Sequence, residues 1–199
     1  LNTVRRFRNR HYHPLNRVYL SKTALLHNFQ HLRAMEPQLH VAPVLKSNAY
    51  GHGLTQVAEI LDKQGAPFFC VDSLYEAYEL LKIKVKTPIL ITGFVDPRNL
   101  LVKKLPFSYA IFDIALAKAL DRYQPGAQVH LFIDTGMSRE GITLTDLPEF
   151  LAQLKKLDNL KVAGVMSHFA SADEFKDPQT VKQLDQFEAA LALVKAAGY

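Results

Sequence analysis

The feature that most constrains the fold is a regular alternation of short apolar runs with helical patterns. Six times along the chain, a mostly apolar run typical of a buried strand precedes apolar residues at helical spacing. The runs lie at residues 41–45, 67–71, 88–92, 109–112, 129–133 and 162–166. Repeated strand–helix units predict a parallel sheet covered by helices. Their length favours a (β/α)₈ TIM-type barrel over an open doubly wound sheet, but periodicity alone leaves both open.

The number of units is two short of a closed barrel. A complete (β/α)₈ barrel needs eight strands and about 250 residues, whereas this chain has 199 residues. We therefore expect an incomplete α/β barrel of about six units, apparently truncated. The predicted domain division is a basic leader or linker over residues 1–15 and a partial barrel domain over residues 16–199. A further strand-like run, residues 17–20, precedes the first predicted helix.

The positive net charge is confined to the first seventeen residues. The formal charge is +5, and Arg5, Arg6, Arg8, Arg10 and Arg17 lie in a stretch without acidic residues. Without these five, 19 basic residues face 19 acidic ones, so we predict no nucleic-acid partner. The leader could be a disordered linker, a strand that pairs elsewhere, or an arm for a polyanion. It lacks the apolar segment of a signal peptide.

Cysteine and histidine usage argues against two other classes of site. Cys70 is the only cysteine, which excludes a disulfide within the chain, fits a reducing cytoplasm, and is typical of a small buried apolar residue. The histidines show no metal-ligand spacing, so no metal is predicted. No apolar run reaches the roughly 18 residues of a membrane span.

The residue with the clearest chemical potential is Lys46. It follows the apolar run 41–45, at the carboxyl end of a predicted strand, where the active sites of α/β barrels lie. Apolar surroundings favour the free amine that attacks carbonyl groups, as in a Schiff-base lysine. Gly51 and Gly53 would allow a ligand to approach the backbone closely, and amides from Leu54 onward could face an anion. The residues alone also permit an ordinary solvated lysine.

Two further polar segments follow predicted strands. Asp134 and Arg139 lie in a glycine-rich turn after the fifth run, and His168 follows the sixth. Taken alone, the first pair is more typical of a structural ion pair, and the second of a structural histidine. Their position at strand ends is nevertheless the pattern that a barrel active site would produce.

Three segments together resemble a known family. Lys46-Ser-Asn-Ala-Tyr-Gly-His-Gly53, Asp134-Thr-Gly-Met-Ser-Arg-Glu-Gly141 and Ser167-His-Phe-Ala-Ser-Ala-Asp-Glu174 occur in the order found in alanine racemases. The resemblance extends over essentially the whole chain after the leader. It implies that pyridoxal 5'-phosphate is bound to this domain.

The resemblance also implies roles for five residues. Lys46 would form the internal aldimine and serve as one of two acid/base groups, and the Tyr50 hydroxyl would bind the cofactor phosphate. Arg139 would hydrogen-bond near the phenolic oxygen, and the Met137 amide would contact the substrate carboxylate. His168 would pack against the pyridine ring.

The chain departs from the family pattern at two positions of the second segment. Phe132 stands where many members carry a lysine, often carbamylated, and Glu140 stands where leucine is usual. Phenylalanine cannot be carbamylated, so whatever positions Arg139 must differ here.

The family further implies a cytoplasmic homodimer that supplies D-alanine for peptidoglycan. A tyrosine from the partner's β-rich C-terminal domain would be the second acid/base group, so this segment alone should not racemise. Three alternatives stay open: a pyridoxal-phosphate-binding barrel without turnover, a racemase with a different or broader amino-acid substrate, and a catalytically dead assembly module.

Overall fold

A computed structural model describes residues 15–174 and 176–199. Five parallel strands form one sheet in chain order, β1 to β5. They are β1 (Phe69–Val71), β2 (Ile89–Ile91), β3 (Phe107–Ile111), β4 (Gln128–Phe132) and β5 (Lys161–Met166). A sheet in which every strand pairs in parallel with its sequence neighbour is the arrangement of a (β/α) barrel. The predicted partial barrel is therefore confirmed.

Helices connect the strands and cover one face of the sheet. They are α1 (Lys22–Met35), α2 (Lys46–Tyr50), α3 (Leu54–Leu61), α4 (Leu74–Lys82), α5 (Ile114–Tyr123), α6 (Leu147–Leu154) and α7 (Gln179–Ala196), with a 3₁₀-helix at Pro97–Leu100. Ser21, Ser73 and Asp113 begin helices by accepting a backbone N–H of the first turn. Each cap fixes where the chain leaves a strand or loop and turns back over the sheet.

The first predicted strand is much reduced. Residues 41–45 form only a single parallel bridge, from Val44 to Cys70 of β1, supported by the Leu45 amide donating to the Cys70 carbonyl at 2.7 Å. Val44 is 45% exposed, so the expectation of a strand buried on both faces is wrong. The segment pairs with β1 on one side only, and residues 17–20 form no strand.

The sheet curls so that its two faces differ. On the outer face, side chains such as Phe69, Ile91 and Leu131 pack with the helices in the main apolar core. On the inner face, the rings of Phe68 and His130 meet edge to face with centroids 5.8 Å apart. Phe68 immediately precedes β1, and His130 is in β4, three strands away. In a flat sheet these strands would lie about 14 Å apart, so the contact requires strong curvature.

Two features of the helices, the cap of α4 and the burial of α7, differ from what the sequence patterns indicate. The predicted capping box at Ser73 is half formed: the Glu76 amide donates to Ser73 Oγ, but the Glu76 carboxylate accepts the Asp72 amide instead of that of Ser73. In α7, the predicted apolar positions Val181 and Leu184 are exposed. Its buried residues are Gln183, Ala190 and Val194.

Cys70 is buried on β1, and burial raises the pKa of its thiol to about 11. This agrees with the predicted role of a small apolar residue. Within the described ranges, none of the helices is long and apolar enough to cross a membrane. Residues 1–14, which make up most of the predicted leader, lie outside the described residues.

Candidate functional site

The carboxyl ends of the parallel strands carry all five residues singled out by sequence. Lys46 and Tyr50 lie in α2, after the bridge at Val44. Met137 and Arg139 lie in the loop after β4, and His168 follows β5. Parallel strands end at one edge of the sheet, and its curvature turns these loops towards one another. This edge is the mouth of the partial barrel.

The chain after Lys46 adopts a left-handed turn. Ser47, Asn48, Ala49 and Tyr50 all have φ between 51° and 56°, a region that residues with a Cβ seldom adopt in succession. Gly51 continues with φ +90°. Sequence predicted a polar turn here but gave no signal of its hand, because none of these four residues is glycine.

Two polar side chains hold this turn in place. The Asn48 amide donates to Glu76 Oε1 at 3.3 Å, and the other carboxylate oxygen of Glu76 accepts the Asp72 amide at 2.9 Å. Glu76 therefore links the turn to the loop after β1. Asn48 Oδ1 accepts the Leu54 amide at 2.8 Å, so this first amide of α3 is engaged within the chain instead of facing a ligand as expected.

The side chains of the turn differ in exposure. Lys46 is half-buried, whereas Tyr50 is 63% exposed. Ala49 is buried against the apolar core, and its carbonyl lies 3.0 Å from His52 Nδ1. His52 thus stabilises the turn, as predicted for a loop histidine, while the Lys46 amine and the Tyr50 hydroxyl are available at the mouth.

The loop after β4 is organised by Asp134. Its carboxylate accepts the amides of Gly136 and Ser138 at 2.9 and 3.0 Å, so it shapes the turn and does not form the ion pair that the residues alone suggested. Arg139 instead lies beside Glu140, with Nε 3.5 Å from a carboxylate oxygen. Both side chains are well exposed, so this pair contributes little to stability.

Phe132 occupies the end of β4 on the inner face. It is buried and packs edge to face on Phe112, with ring centroids 6.1 Å apart. An apolar pair therefore stands where the family pattern has a lysine. Glu140 is the acidic side chain that lies next to Arg139 in this chain.

His168 shares the mouth with two positive charges. Partial burial lowers the pKa of its imidazole, and the charges of Arg139 and Lys46 lower it further. Residues from three different loops therefore act on one another electrostatically. The lowered pKa favours the neutral form of this imidazole.

Sequence reasoning missed the polar residues that support these loops. Gln183 is buried in α7 and donates to Thr135 Oγ1 and to the His168 carbonyl. Thr135 in turn hydrogen-bonds Ser167 at 2.7 Å. A single polar residue among apolar helix positions was the only signal that could have identified Gln183.

An apolar cavity of about 310 Å³ adjoins this network. It is lined by His168, Phe169, Leu184 and Phe187 together with Thr135, Ser167 and Gln183. The described residues contain no cluster of three or more His, Cys, Asp or Glu side chains arranged to hold a metal ion.

The mouth combines groups suited to an anionic carbonyl compound. An amine can attack a carbonyl carbon, while a guanidinium, an imidazole and a phenol can bind oxygen anions or hydrogen-bond them. A planar ligand could lie between the loops after α2, β4 and β5.

Comparison with known proteins agrees with this geometry. The family model for the alanine racemase N-terminal domain matches residues 20–199. The chain is 38% identical over 197 residues to alanine racemase of Geobacter sp. (strain M21), covering 92% of this chain and 51% of that protein. It is 35% identical to serine/alanine racemase of Enterococcus gallinarum, covering 93% of this chain and 27% of that protein.

Solved structures give the same result. Alanine racemase from Bacillus anthracis, determined with bound L-Ala-P, superimposes with a TM-score of 0.81 at 31% identity, covering 89% of this chain and 47% of that one. Alanine racemase from Corynebacterium glutamicum gives 0.80 at 30% identity, with coverages of 89% and 52%. The chain spans about half the length of the Geobacter protein and of the Bacillus anthracis protein. It therefore belongs to the alanine racemase family and matches that family's N-terminal domain over residues 20–199.

Proposed function

We propose that the protein is a pyridoxal-phosphate-dependent alanine racemase, an isomerase that interconverts L- and D-alanine. The observation that carries this proposal is that Lys46, Arg139 and His168 all follow parallel β segments of one sheet at their carboxyl ends, the bridge at Val44, β4 and β5. Three strand-end loops would have no common reason to present these groups to one another in a purely structural domain.

The groups present fit pyridoxal phosphate by their chemistry. Lys46 would offer the amine for its aldehyde, Arg139 and His168 would interact with its phenolic oxygen and ring, and the exposed Tyr50 hydroxyl could donate to its phosphate. Lys46 and Arg139 already supply positive charge at the mouth, so no metal cation is needed to balance the negative charge of the cofactor. When bound, the cofactor serves as an electron sink that acidifies the α-carbon of an amino acid.

The chain's own residues then have separate tasks. Lys46 holds and moves the proton on one face of the α-carbon. The Met137 amide would orient the substrate carboxylate, Arg139 would bind near the phenolic oxygen, and the His168 ring would pack against the cofactor.

Inversion also needs an acid/base group on the opposite face. We place that group, a tyrosine, in a C-terminal domain of a partner subunit, which makes the working enzyme a homodimer. We further propose a cytoplasmic location and the supply of D-alanine for peptidoglycan. The proposed product, a D-amino acid, supports the link to peptidoglycan, and the single buried cysteine supports the cytoplasmic location.

A broader substrate range is the second candidate. The observation in its favour is the 35% identity to an enzyme named serine/alanine racemase. Comparing kcat/KM of the full-length protein for alanine and serine distinguishes the two. A ratio near one supports the broader enzyme, whereas strong preference for alanine supports the first candidate.

The proposal is tested by covalent labelling of the full-length protein. The protein is incubated with pyridoxal phosphate and reduced with borohydride, and the modified peptide is mapped by mass spectrometry. We expect modification at Lys46 alone and racemisation of alanine in the unreduced protein. Lys46→Arg should abolish both, and Lys182→Arg, which changes an exposed lysine of α7, should change neither.

Two results would contradict the proposal. Labelling spread over several lysines would show that Lys46 is not a special site. Labelling at Lys46 without any racemase turnover would favour the cofactor-binding barrel without catalysis, and absence of labelling would favour the assembly module.

A further inference from the structure

Gln183 directs its hydrogen-bonding groups at two loops of the mouth. The side chain is 1% exposed. Its amide nitrogen donates to Thr135 Oγ1 at 3.2 Å and to the His168 carbonyl at 2.9 Å, and its oxygen accepts the Ala170 amide at 2.8 Å. Both N–H groups and the oxygen of this buried amide are therefore satisfied by the loops after β4 and β5.

The partners of Gln183 extend the contact to the strands. Thr135 Oγ1 lies 2.7 Å from Ser167 Oγ, and the Ser167 hydroxyl also donates to the Ile133 carbonyl at 2.9 Å. A continuous series of hydrogen bonds thus joins α7 to the ends of β4 and β5. Because every hydrogen bond of the series is at least partly buried, breaking any member leaves polar groups without partners.

A second glutamine of α7 contacts the same region. Gln179, one helical turn before Gln183, donates to the Gly136 carbonyl at 3.1 Å. The backbone N–H of Gln179 donates to Asp177 Oδ1 at 2.9 Å, and this hydrogen bond fixes the start of the helix. The first two turns of α7 therefore hold the backbone of the two neighbouring loops after β4 and β5.

We propose that Gln183 is a positioning residue for the reaction, acting by fixing His168 relative to the loop of residues 134–141. The inference rests on the proposed function and extends it to a residue of α7. His168 lies one residue from Ser167 and two from Ala170, so loss of the Gln183 contacts frees the backbone that carries the imidazole. Misplacing a group at a reacting centre by about 1 Å can reduce turnover about 100-fold.

Gln183→Met in the full-length protein removes the polar atoms and nearly conserves the volume. The matched control is Gln186→Met, which changes an exposed glutamine of the same helix. We expect kcat to fall about 10- to 100-fold in Gln183→Met with a smaller change in KM. The control should stay within about twofold.

Hydrogen exchange of backbone amides gives a readout that is independent of turnover. In Gln183→Met the Ala170 amide loses its acceptor and should exchange at least about tenfold faster, while the Gly136 and Ser138 amides, held by Asp134, should not. Gln183→Glu keeps an acceptor for Ala170 and loses the donors to Thr135 and His168. It should protect Ala170 again without restoring kcat, and it provides the test if Gln183→Met fails to fold.

The outcomes separate positioning from a merely structural role. Faster Ala170 exchange with unchanged kcat and KM would overturn the proposal, as would unchanged exchange. Loss of thermal stability with full activity in the folded fraction would also overturn it. If the wild-type protein neither binds cofactor nor racemises, the proposed function fails, and the exchange data alone decide whether Gln183 fixes the loops.

Discussion

At the scale of residues, the site depends on backbone conformations that need support. The left-handed region costs a residue with a Cβ about 1–2 kcal/mol, and four such residues follow Lys46 in succession. The Glu76 carboxylate accepts the backbone amide of Asn48, and Asn48 Oδ1 accepts the backbone amide of Leu54. These two hydrogen bonds offset part of the cost. The orientation of Lys46 therefore depends on side chains outside its own motif.

Glu76→Gln tests this dependence. One of the two carboxylate oxygens becomes an NH₂ group that faces an amide donor, either that of Asn48 or that of Asp72. We expect a loss of about 1–2 kcal/mol in the free energy of unfolding, measured by denaturant titration of the full-length protein. The Asn48 or Asp72 amide should also exchange faster.

Glu79→Gln is the control for that variant. Glu79 lies on the same helix and pairs with Lys82 at the surface, so its loss should cost at most about 0.5 kcal/mol. Equal effects of the two substitutions would show that Glu76 does not support the turn.

Gly93 marks a close approach between two strand-end loops. A Cβ at this position would lie 2.3 Å from the Asp72 carbonyl oxygen, and the backbone there cannot easily move. We expect Gly93→Ala to lower the free energy of unfolding by at least about 2 kcal/mol. Gly198→Ala meets no atom within 4 Å and has φ +90°, so it should cost only about 1 kcal/mol. Reversal of this order in thermal melts would contradict the steric explanation.

At the scale of elements, polar side chains fix helices to the sheet at both ends of the strands. At the mouth, Glu76 and Gln183 join helices α4 and α7 to the loops. At the opposite end, Asp62 follows α3 and accepts the amides of Lys86 and Thr87, just before β2, together with the Thr87 hydroxyl. This carboxylate sets the position of α3 against the second strand.

Asp62 should give the protein a measurable pH dependence. Burial raises its pKa, but the hydrogen bonds from Thr87 and Lys86 outweigh burial and hold the pKa below its ordinary value. A lowered pKa in the folded state means that the stabilisation is present above the unfolded value of about 3.9 and is lost as pH falls through the folded value.

Asp62→Asn removes this contribution. In urea titrations, the free energy of unfolding of Asp62→Asn should be lower than that of the wild type at pH 7. Between pH 5 and pH 3 it should decrease less than that of the wild type. Parallel pH profiles of the two proteins would show that the Asp62 hydrogen bonds do not favour the charged form.

At the scale of the whole molecule, one face of the sheet is complete and the other is open. The outer face packs with helices in the apolar core. At the edges, β5 is only partly buried and Val44 is exposed. In the proposed function, the mouth supplies acid/base chemistry for one face of a substrate only, so a second surface would complete the site.

We therefore predict that the 199-residue chain alone does not racemise alanine, whereas the full-length protein does. The physical reason is that inversion needs proton transfer on both faces of the α-carbon, and Lys46 serves one. Assay of D-alanine formation by the purified chain and by the full-length protein measures the difference. Turnover by the 199-residue chain would show that its own residues serve both faces.

The sequence by itself determined the fold class and predicted the candidate site residues. Apolar runs and helical spacing are local properties, so they identified β1 to β5 and the helices between them. They also placed Lys46, Arg139 and His168 at strand ends. They failed at residues 41–45, because the pattern of a buried strand does not say how many neighbours will pair with it.

Only the tertiary structure revealed how the site is held. The contacts from Glu76 to Asn48 and from Gln183 to Thr135 span 28 and 48 residues, so no local pattern encodes them. They depend on the register and curvature of the sheet, which also bring Phe68 to His130. Local spacing decides what each segment becomes, whereas packing of the whole sheet decides which side chains meet.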